Sequence, residues 1–130
     1  MKGENKMSYL NTPNLFLKGK KYKFAYREVG EKKGIPLVLL THLSATLDNW
    51  DPLLIDTLAK SRWIIAFDNV GVGLTEGKVP KTIEEMANDA LEFILSLNVQ
   101  QVDLLGLSMG GMIAQELVLK NPSLVRRLIL

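Results

Sequence analysis

The chain has 130 residues, a length that suits one domain better than two. Its 47% hydrophobic and 23% charged residues are typical of a folded globular protein, which excludes a disordered chain. The net charge is only +2, and the absence of cysteine excludes disulfides, thiolate metal sites and a cysteine nucleophile.

The first ten residues, MKGENKMSYL, lack the apolar core of a signal peptide, and no apolar run reaches about 18 residues. We therefore expect a cytoplasmic protein without a membrane partner. Lysines crowd a turn at Gly19, and we interpret them as a solvated hairpin turn rather than a nucleic-acid patch. They are Lys18, Lys20, Lys21 and Lys23.

Residues 1–13 are polar, and we expect them to be frayed or disordered. We expect residues 14–130 to form one folded unit. Segments 14–18 and 22–29 predict two antiparallel strands, since apolar and polar residues alternate through the second. The apolar run 36–41 predicts a strand covered on both faces.

The middle of the chain continues this alternation of strands and helices. A loop at 42–49 precedes a short helix that starts at Trp50 or Asp51 and ends near Lys60. The run 63–67 predicts a buried strand, and a glycine-rich loop follows Asp68.

A long helix begins at Thr82, where Glu85 three residues later completes a capping box, and it ends near Asn98. Its apolar residues recur at helical spacing: Ile83, Met86, Ala87, Ala90, Leu91, Ile94 and Leu97. A last strand is predicted at 125–130. The order predicts an α/β fold with a mainly parallel sheet, an antiparallel first hairpin and helices on both faces.

The segment 106–110 matches G-x-S-x-G and follows an apolar strand at 102–105. An amphipathic helix at 109–120 comes directly after it. Strand, tight turn and helix are the context in which this motif forms a nucleophile elbow, so Ser108 is the predicted nucleophile. The helix beginning at Met109 would direct free N–H groups toward developing negative charge.

The chain resembles the N-terminal half of an α/β-hydrolase, of the esterase and cofactor-free haloperoxidase-like branch, from about Asn14 to Leu130. Four stretches carry the likeness: PLVLLTHLSATLDNW, IIAFDNVGVGLTEG, TIEEMANDALEFI and VDLLGLSMGGMIAQELVLKNP. The resemblance implies an oxyanion hole built from the N–H groups of Met109 and Leu43, and a small acyl substrate. We expect no metal and no cofactor. The glycine spacing at 71–77 differs from that of dinucleotide sites, which argues against a bound nucleotide.

Two segments depart from the family pattern. Many members carry His-Gly where this chain has Thr41 and His42, and an arginine of the loop after the fourth strand is replaced by Val70. We expect the second change to affect loop packing rather than chemistry.

The catalytic acid and base of the family follow the serine, but no Asp and no His follow Ser108 here. Glu116 does follow, two turns along the helix and too far to hold a base. The only histidine, His42, lies upstream; it is a less favoured alternative base. Asp48 and Asp68 are interpreted as groups that fix loops by accepting backbone N–H bonds.

Two functions stay open. The first is a serine hydrolase of ester or related acyl substrates, whose 130 residues alone are weakly active or inactive. The second is a non-catalytic, truncated hydrolase fold that serves as an interaction module or is an incomplete gene product. An exposed apolar edge near Leu130 favours aggregation, a homodimer or a completing partner chain.

Overall fold

The computed structural model describes residues 8–42 and 44–130. These residues form a six-stranded sheet with three α-helices. The strands are β1 (Leu15–Lys18), β2 (Lys23–Val29), β3 (Leu37–Leu40), β4 (Ile64–Phe67), β5 (Val102–Gly106) and β6 (Val125–Ile129). The helices are α1 (Pro52–Ala59), α2 (Ile83–Ser96) and α3 (Met109–Lys120), with two short 3-10 helices at Tyr9–Asn11 and Leu47–Asn49.

The strand order across the sheet is β1-β2-β4-β3-β5-β6. The pairs β1–β2 and β2–β4 are antiparallel, whereas β3 pairs in parallel with β4 and β5, and β5 with β6. The predicted mainly parallel sheet with an antiparallel first hairpin is therefore confirmed. The carboxyl ends of β3, β4 and β5 share one edge, where loops of such sheets carry their functional groups.

Helices cover both faces of the sheet, as predicted. Along β3, Val38 and Leu40 join the core under α2 and α3, whereas Leu37 and Leu39 join a second core with Ile55 of α1. This alternation follows from the two-residue side-chain period of a strand, and it explains why the whole strand is apolar.

Each predicted helix and strand is present with its ends within two residues of the prediction. Thr82 caps α2, since its side chain accepts the Glu85 N–H at 3.0 Å.

None of the described helices is long and apolar enough to span a membrane.

Packed structure begins before the boundary expected at residue 14. Tyr9 is only 2% exposed, its hydroxyl donates to the carbonyl of Leu47, and its backbone N–H donates to Asp56 at 2.8 Å. Thr12 is buried as well. The expected fraying therefore does not extend to residues 9–12, because one aromatic side chain buries itself within an otherwise polar segment. Residues 1–7 lie outside the described chain.

A buried carboxylate links strands at the amino ends of the parallel strands, opposite the end that carries the loops. Asp103 of β5 is fully buried, and its Oδ2 accepts bonds at 2.7 Å from both Arg62 and Arg126. Arg62 comes just before β4 and Arg126 lies in β6. Burial alone would raise the pKa of Asp103, but the hydrogen bonds and charges of Arg126 and Arg62 outweigh burial and lower it below its ordinary value.

We expect Asp103→Asn to lower the free energy of unfolding at pH 7 by about 2 kcal/mol, because two guanidinium groups lose their counter-charge. The folded-state pKa is depressed, so this stabilisation is complete above the unfolded pKa of about 3.9 and disappears as the pH falls through the lower folded value. Urea unfolding at pH 7 and pH 3 measures the difference.

The exposed pair Glu84–Lys120 provides a matched control, and Glu84→Gln should leave the free energy of unfolding unchanged because solvent screens an exposed ion pair. An equal loss in both variants at pH 7 would contradict a special role for Asp103.

Candidate active site

The strand–turn–helix predicted around the G-x-S-x-G motif is present. β5 ends at Gly106 and α3 begins at Met109, so the chain reverses direction over two residues. Ser108 has φ 56° and ψ −117°, a conformation that residues with a side chain rarely adopt. The N–H of Leu107 donates to the carbonyl of Leu40 at 3.1 Å, which fixes the turn against β3. Ser108 is exposed at this sheet edge.

Two glycines make the tight turn possible. A Cβ atom at Gly106 would lie 2.6 Å from the Cα of Gly111. A Cβ atom at Gly110 would lie 2.5 Å from the carbonyl carbon of Leu40 and 2.7 Å from the carbonyl oxygen of Thr41. The first turn of α3 therefore packs backbone to backbone on β3 and β5, and no side chain fits between them.

The backbone around Ser108 offers a donor for negative charge. Met109 is the first residue of α3, so its N–H has no acceptor within the helix, and the positive end of the helix dipole lies there. The next two N–H groups are used within the turn, that of Gly110 by Leu107 and that of Gly111 by Ser108. Met109 thus leaves one amide available for an oxyanion.

The second predicted oxyanion residue, Leu43, lies outside the described residues. The segments on either side of it are described. Thr41 is buried and its hydroxyl accepts a bond from Asn69 at 3.3 Å. The carbonyl of His42 accepts the N–H of Ala45 at 3.1 Å.

A base for Ser108 is not assembled by the described side chains. No hydrogen bond joins the hydroxyl of Ser108 to another described side chain. Glu116 pairs with Lys120 at 3.6 Å along α3, as its helical position requires.

No cluster of three or more His, Asp or Glu side chains that could hold a metal ion occurs in residues 8–42 and 44–130.

Asp68 fixes two loops, as predicted. One carboxylate oxygen accepts the N–H of Leu47 at 2.8 Å and the other accepts the N–H of Leu74 at 2.9 Å. Burial raises the pKa of Asp68, and these two bonds offset part of that rise. The same prediction is wrong for Asp48, which is exposed and binds the guanidinium of Arg27 at 2.8 Å instead of a backbone N–H.

A small apolar pocket lies beside Met109. Its other walls include Ser44, Asn69, Val70, Val72, Val79 and Met86. Val70 is 2% exposed and packs in the core with α2, so the residue that replaces the family arginine is tightly packed. Sequence patterns located the glycine-rich loop and the apolar face of α2 separately, but no pattern indicated that they meet here.

Known proteins resemble this chain in sequence. Residues 35–130 match the family model described as the alpha/beta hydrolase fold. The "Putative carbamate hydrolase RutD" of Rhizobium rhizogenes is 35% identical over 96 residues, which are 72% of this chain and 36% of that protein. The "Putative non-heme bromoperoxidase BpoC" of Mycobacterium tuberculosis is 34% identical over 98 residues, 75% of this chain and 37% of that protein.

A solved structure, an alpha/beta hydrolase fold protein from Chitinophaga pinensis, superposes with a TM-score of 0.91 and is 39% identical. The match covers 94% of this chain and 44% of the Chitinophaga chain. This chain therefore spans little more than a third of the two curated relatives and less than half of the solved structure.

We expect Ser108→Gly to be more stable than Ser108→Ala by about 1–3 kcal/mol, because glycine adopts the positive φ of this position without strain and alanine does not. Urea unfolding of the two variants at pH 7 measures the difference. Equal stability would mean that the turn is unstrained.

We expect Gly110→Ala to lower the free energy of unfolding by about 1–3 kcal/mol, since its Cβ would overlap the backbone of β3. Gly111→Ala is the matched control in the same helical turn. A Cβ there meets nothing nearer than 3.4 Å, so this variant should be neutral or gain up to about 1 kcal/mol. Chemical denaturation measures the free energy of unfolding of both variants. Similar losses of stability in Gly110→Ala and Gly111→Ala would contradict the close packing at Gly110.

Proposed function

The chain belongs to the α/β-hydrolase fold family, and on that premise we propose that Ser108 is the nucleophile of a serine hydrolase acting on ester or related acyl substrates. The observation that carries the proposal is the conformation of Ser108, which is held exposed, at φ 56°, directly before the free N–H of Met109. Strained backbone of this kind persists where the surrounding structure imposes it, typically at functional positions. A relative named for carbamate hydrolysis agrees with acyl chemistry.

The proposed reaction begins with attack of the Ser108 hydroxyl oxygen on the substrate carbonyl carbon, while a base takes the hydroxyl proton. The carbonyl oxygen becomes an oxyanion that accepts the N–H of Met109 and, by the family resemblance, that of Leu43. Collapse of this intermediate expels the alcohol or amine and leaves an ester on Ser108, which water then hydrolyses. One oxyanion donor is typically worth about 3 kcal/mol of transition-state stabilisation.

The base is the part that these 130 residues do not provide in the family's order, because neither Asp nor His follows Ser108. We propose that the acid and base come from residues other than these 130. The 130-residue chain alone would then retain only the contribution of binding and the oxyanion hole, several orders of magnitude below a complete site. His42 remains the alternative base, since it follows β3 at the same edge of the sheet as Ser108.

We propose that a completing chain segment or a second copy pairs along β6. This strand is the last in the described sheet; its final residue, Ile129, is 45% exposed, and Leu130, which follows it, is 68% exposed. An apolar sheet edge of this kind favours pairing with another strand. The competing function, a non-catalytic interaction module, uses the same edge and needs no chemistry at Ser108.

The variant Ser108→Cys separates these functions without requiring a base, because a thiolate is already a nucleophile. Cysteine is absent elsewhere in the chain, so the new thiol is unique. We expect its pKa to fall about one unit below the ordinary 8.5, owing to the N-terminus of α3. We also expect p-nitrophenyl acetate to acetylate it at least about tenfold faster, per thiolate, than a reference thiol.

The reference is Ser123→Cys, which places a thiol in the exposed turn before β6. Intact mass spectrometry follows acetylation and iodoacetamide titration gives each thiol pKa. Equal rates per thiolate at the two positions would favour the non-catalytic module. Fluorophosphonate labelling of the unmodified chain, lost in both Ser108→Ala and His42→Ala, would instead assign His42 as the base.

A further inference from the structure

The apolar pocket beside Met109 takes its walls from three neighbouring segments of the chain. Val70 and Val72 come from the glycine-rich loop after β4, and Val79 comes from the segment that leads into α2. Met86 adds a wall from α2 itself. The pocket has a volume of about 30 Å³, and none of its described walls carries a charge. Such a pocket suits a small, uncharged and apolar group.

Met109 connects this pocket to the candidate nucleophile. Its side chain lines the pocket, and its free N–H lies directly after Ser108 in the chain. In the proposed intermediate, the substrate carbonyl carbon is bonded to the oxygen of Ser108 and its oxyanion accepts the N–H of Met109. The remaining acyl substituent of that carbon is the alkyl chain, and the pocket offers it an apolar surface next to the same residue.

A larger cavity at the same edge of the sheet is less suited to an alkyl chain. It has a volume of about 300 Å³, and its walls include Arg27, Asp48 and Asp68. Arg27 and Asp48 form an ion pair at 2.8 Å. An alkyl chain placed against this pair would remove water from two charged groups without replacing its hydrogen bonds, which is unfavourable. The pocket at Met109 is therefore the better site for the acyl group.

The loop that forms two of the walls is firmly fixed. Thr75 is 4% exposed, and its hydroxyl donates to the carbonyl of Asp68 at 2.8 Å and accepts the N–H of Ala25 at 3.0 Å. A Cβ atom at Gly71 would lie 2.4 Å from the backbone nitrogen of Val79, so two wall segments pack backbone to backbone. Valine side chains are also restricted about χ1. The pocket is therefore formed in advance, and these walls do not readily retreat.

The size of the pocket limits the acyl chain. A cavity needs roughly 10–15 Å³ to hold one water-sized group, so about 30 Å³ holds about two or three such groups. The methyl of an acetyl group and the ethyl of a propionyl group satisfy this limit. The five-carbon tail of a hexanoyl group exceeds it.

We propose that this pocket receives the acyl chain of the substrate and restricts it to short, uncharged aliphatic groups, acetyl or propionyl. The inference rests on the proposed function and adds a substrate class to it. It makes Val72, Val79 and Met86 specificity-determining residues, although all three are distant in sequence from Ser108.

The test compares p-nitrophenyl acetate, propionate and hexanoate on the Ser108→Cys variant. The thiolate displaces p-nitrophenolate and retains the acyl group as a thioester, which intact mass spectrometry follows. Dividing each rate per thiolate by that of Ser123→Cys gives an acceleration from which the intrinsic reactivity of the ester is removed. We expect at least about tenfold acceleration with acetate and propionate, and with hexanoate an acceleration at least about tenfold smaller than with acetate.

The wall is tested by adding Val72→Ala to Ser108→Cys. Removing two methyl groups should raise the acceleration with hexanoate about fivefold and leave that with acetate within about twofold. Val99→Ala is the matched control, since Val99 is also half-buried but lies just before β5 at the amino end of the sheet. It should change neither value.

The outcomes separate the pocket from the nucleophile. Equal acceleration with all three esters, or no response to hexanoate in Val72→Ala, would overturn the inference and leave the proposed function intact. No acceleration with any ester relative to Ser123→Cys would overturn the proposed function and, with it, the role of the pocket.

Nuclear magnetic resonance locates the acyl group directly. The Ser108→Cys variant acetylated with a ¹³C-labelled methyl group should show nuclear Overhauser contacts from that methyl to the side chains of Met86 and Val72. Met112, which is 52% exposed on α3, serves as the control and should show none. A contact to Met112 in place of Met86 and Val72 would put the acetyl group outside the pocket and overturn the inference, whatever the chain-length preference.

Discussion

The close approach of α3 to the sheet is the constraint on which the candidate site depends. Gly106 and Gly110 let the first turn of the helix lie directly against β5 and β3, with no space for a side chain. Because α3 starts so near the end of β5, only two residues are left to reverse the chain direction. Ser108 is one of them, and it adopts the strained backbone conformation with a positive φ. Packing on both faces of the sheet holds this geometry, because relaxing the turn would lift α3 from the core.

The two ends of the parallel strands serve different purposes. At the amino end, Asp103 accepts hydrogen bonds from the guanidinium groups of Arg62, just before β4, and Arg126, within β6. At the carboxyl end, Asp68 uses its oxygens for the backbone of two loops. One buried carboxylate is neutralised by charge and the other by amide dipoles. The first stabilises the sheet, and the second fixes loops at the edge that carries Ser108.

The sequence was sufficient for features that depend on local patterns. Periodicity located the strands and helices, and the residues flanking Ser108 predicted the turn because a strand, a glycine motif and a helix are contiguous there. It was insufficient where the partner is distant. The bonds of Tyr9 to Leu47, and of Asp103 to Arg62 and Arg126, span 23 to 41 residues, and no local pattern indicates them.

The errors have the same origin. Residues 9–12 were expected to fray because their neighbours are polar, yet a single aromatic ring decides their packing. Asp48 was expected to bind the backbone, as short acidic side chains in loops often do, but Arg27 reaches it from β2. In each case a contact in the folded chain outweighs the local preference.

The strain at Ser108 also bears on how such a chain would evolve. Among the twenty residues, glycine alone adopts this backbone conformation without cost, so random drift free of functional selection would tend to replace the serine and gain stability. Stability alone therefore does not account for a serine at position 108, since a glycine there would remove the cost of the positive φ.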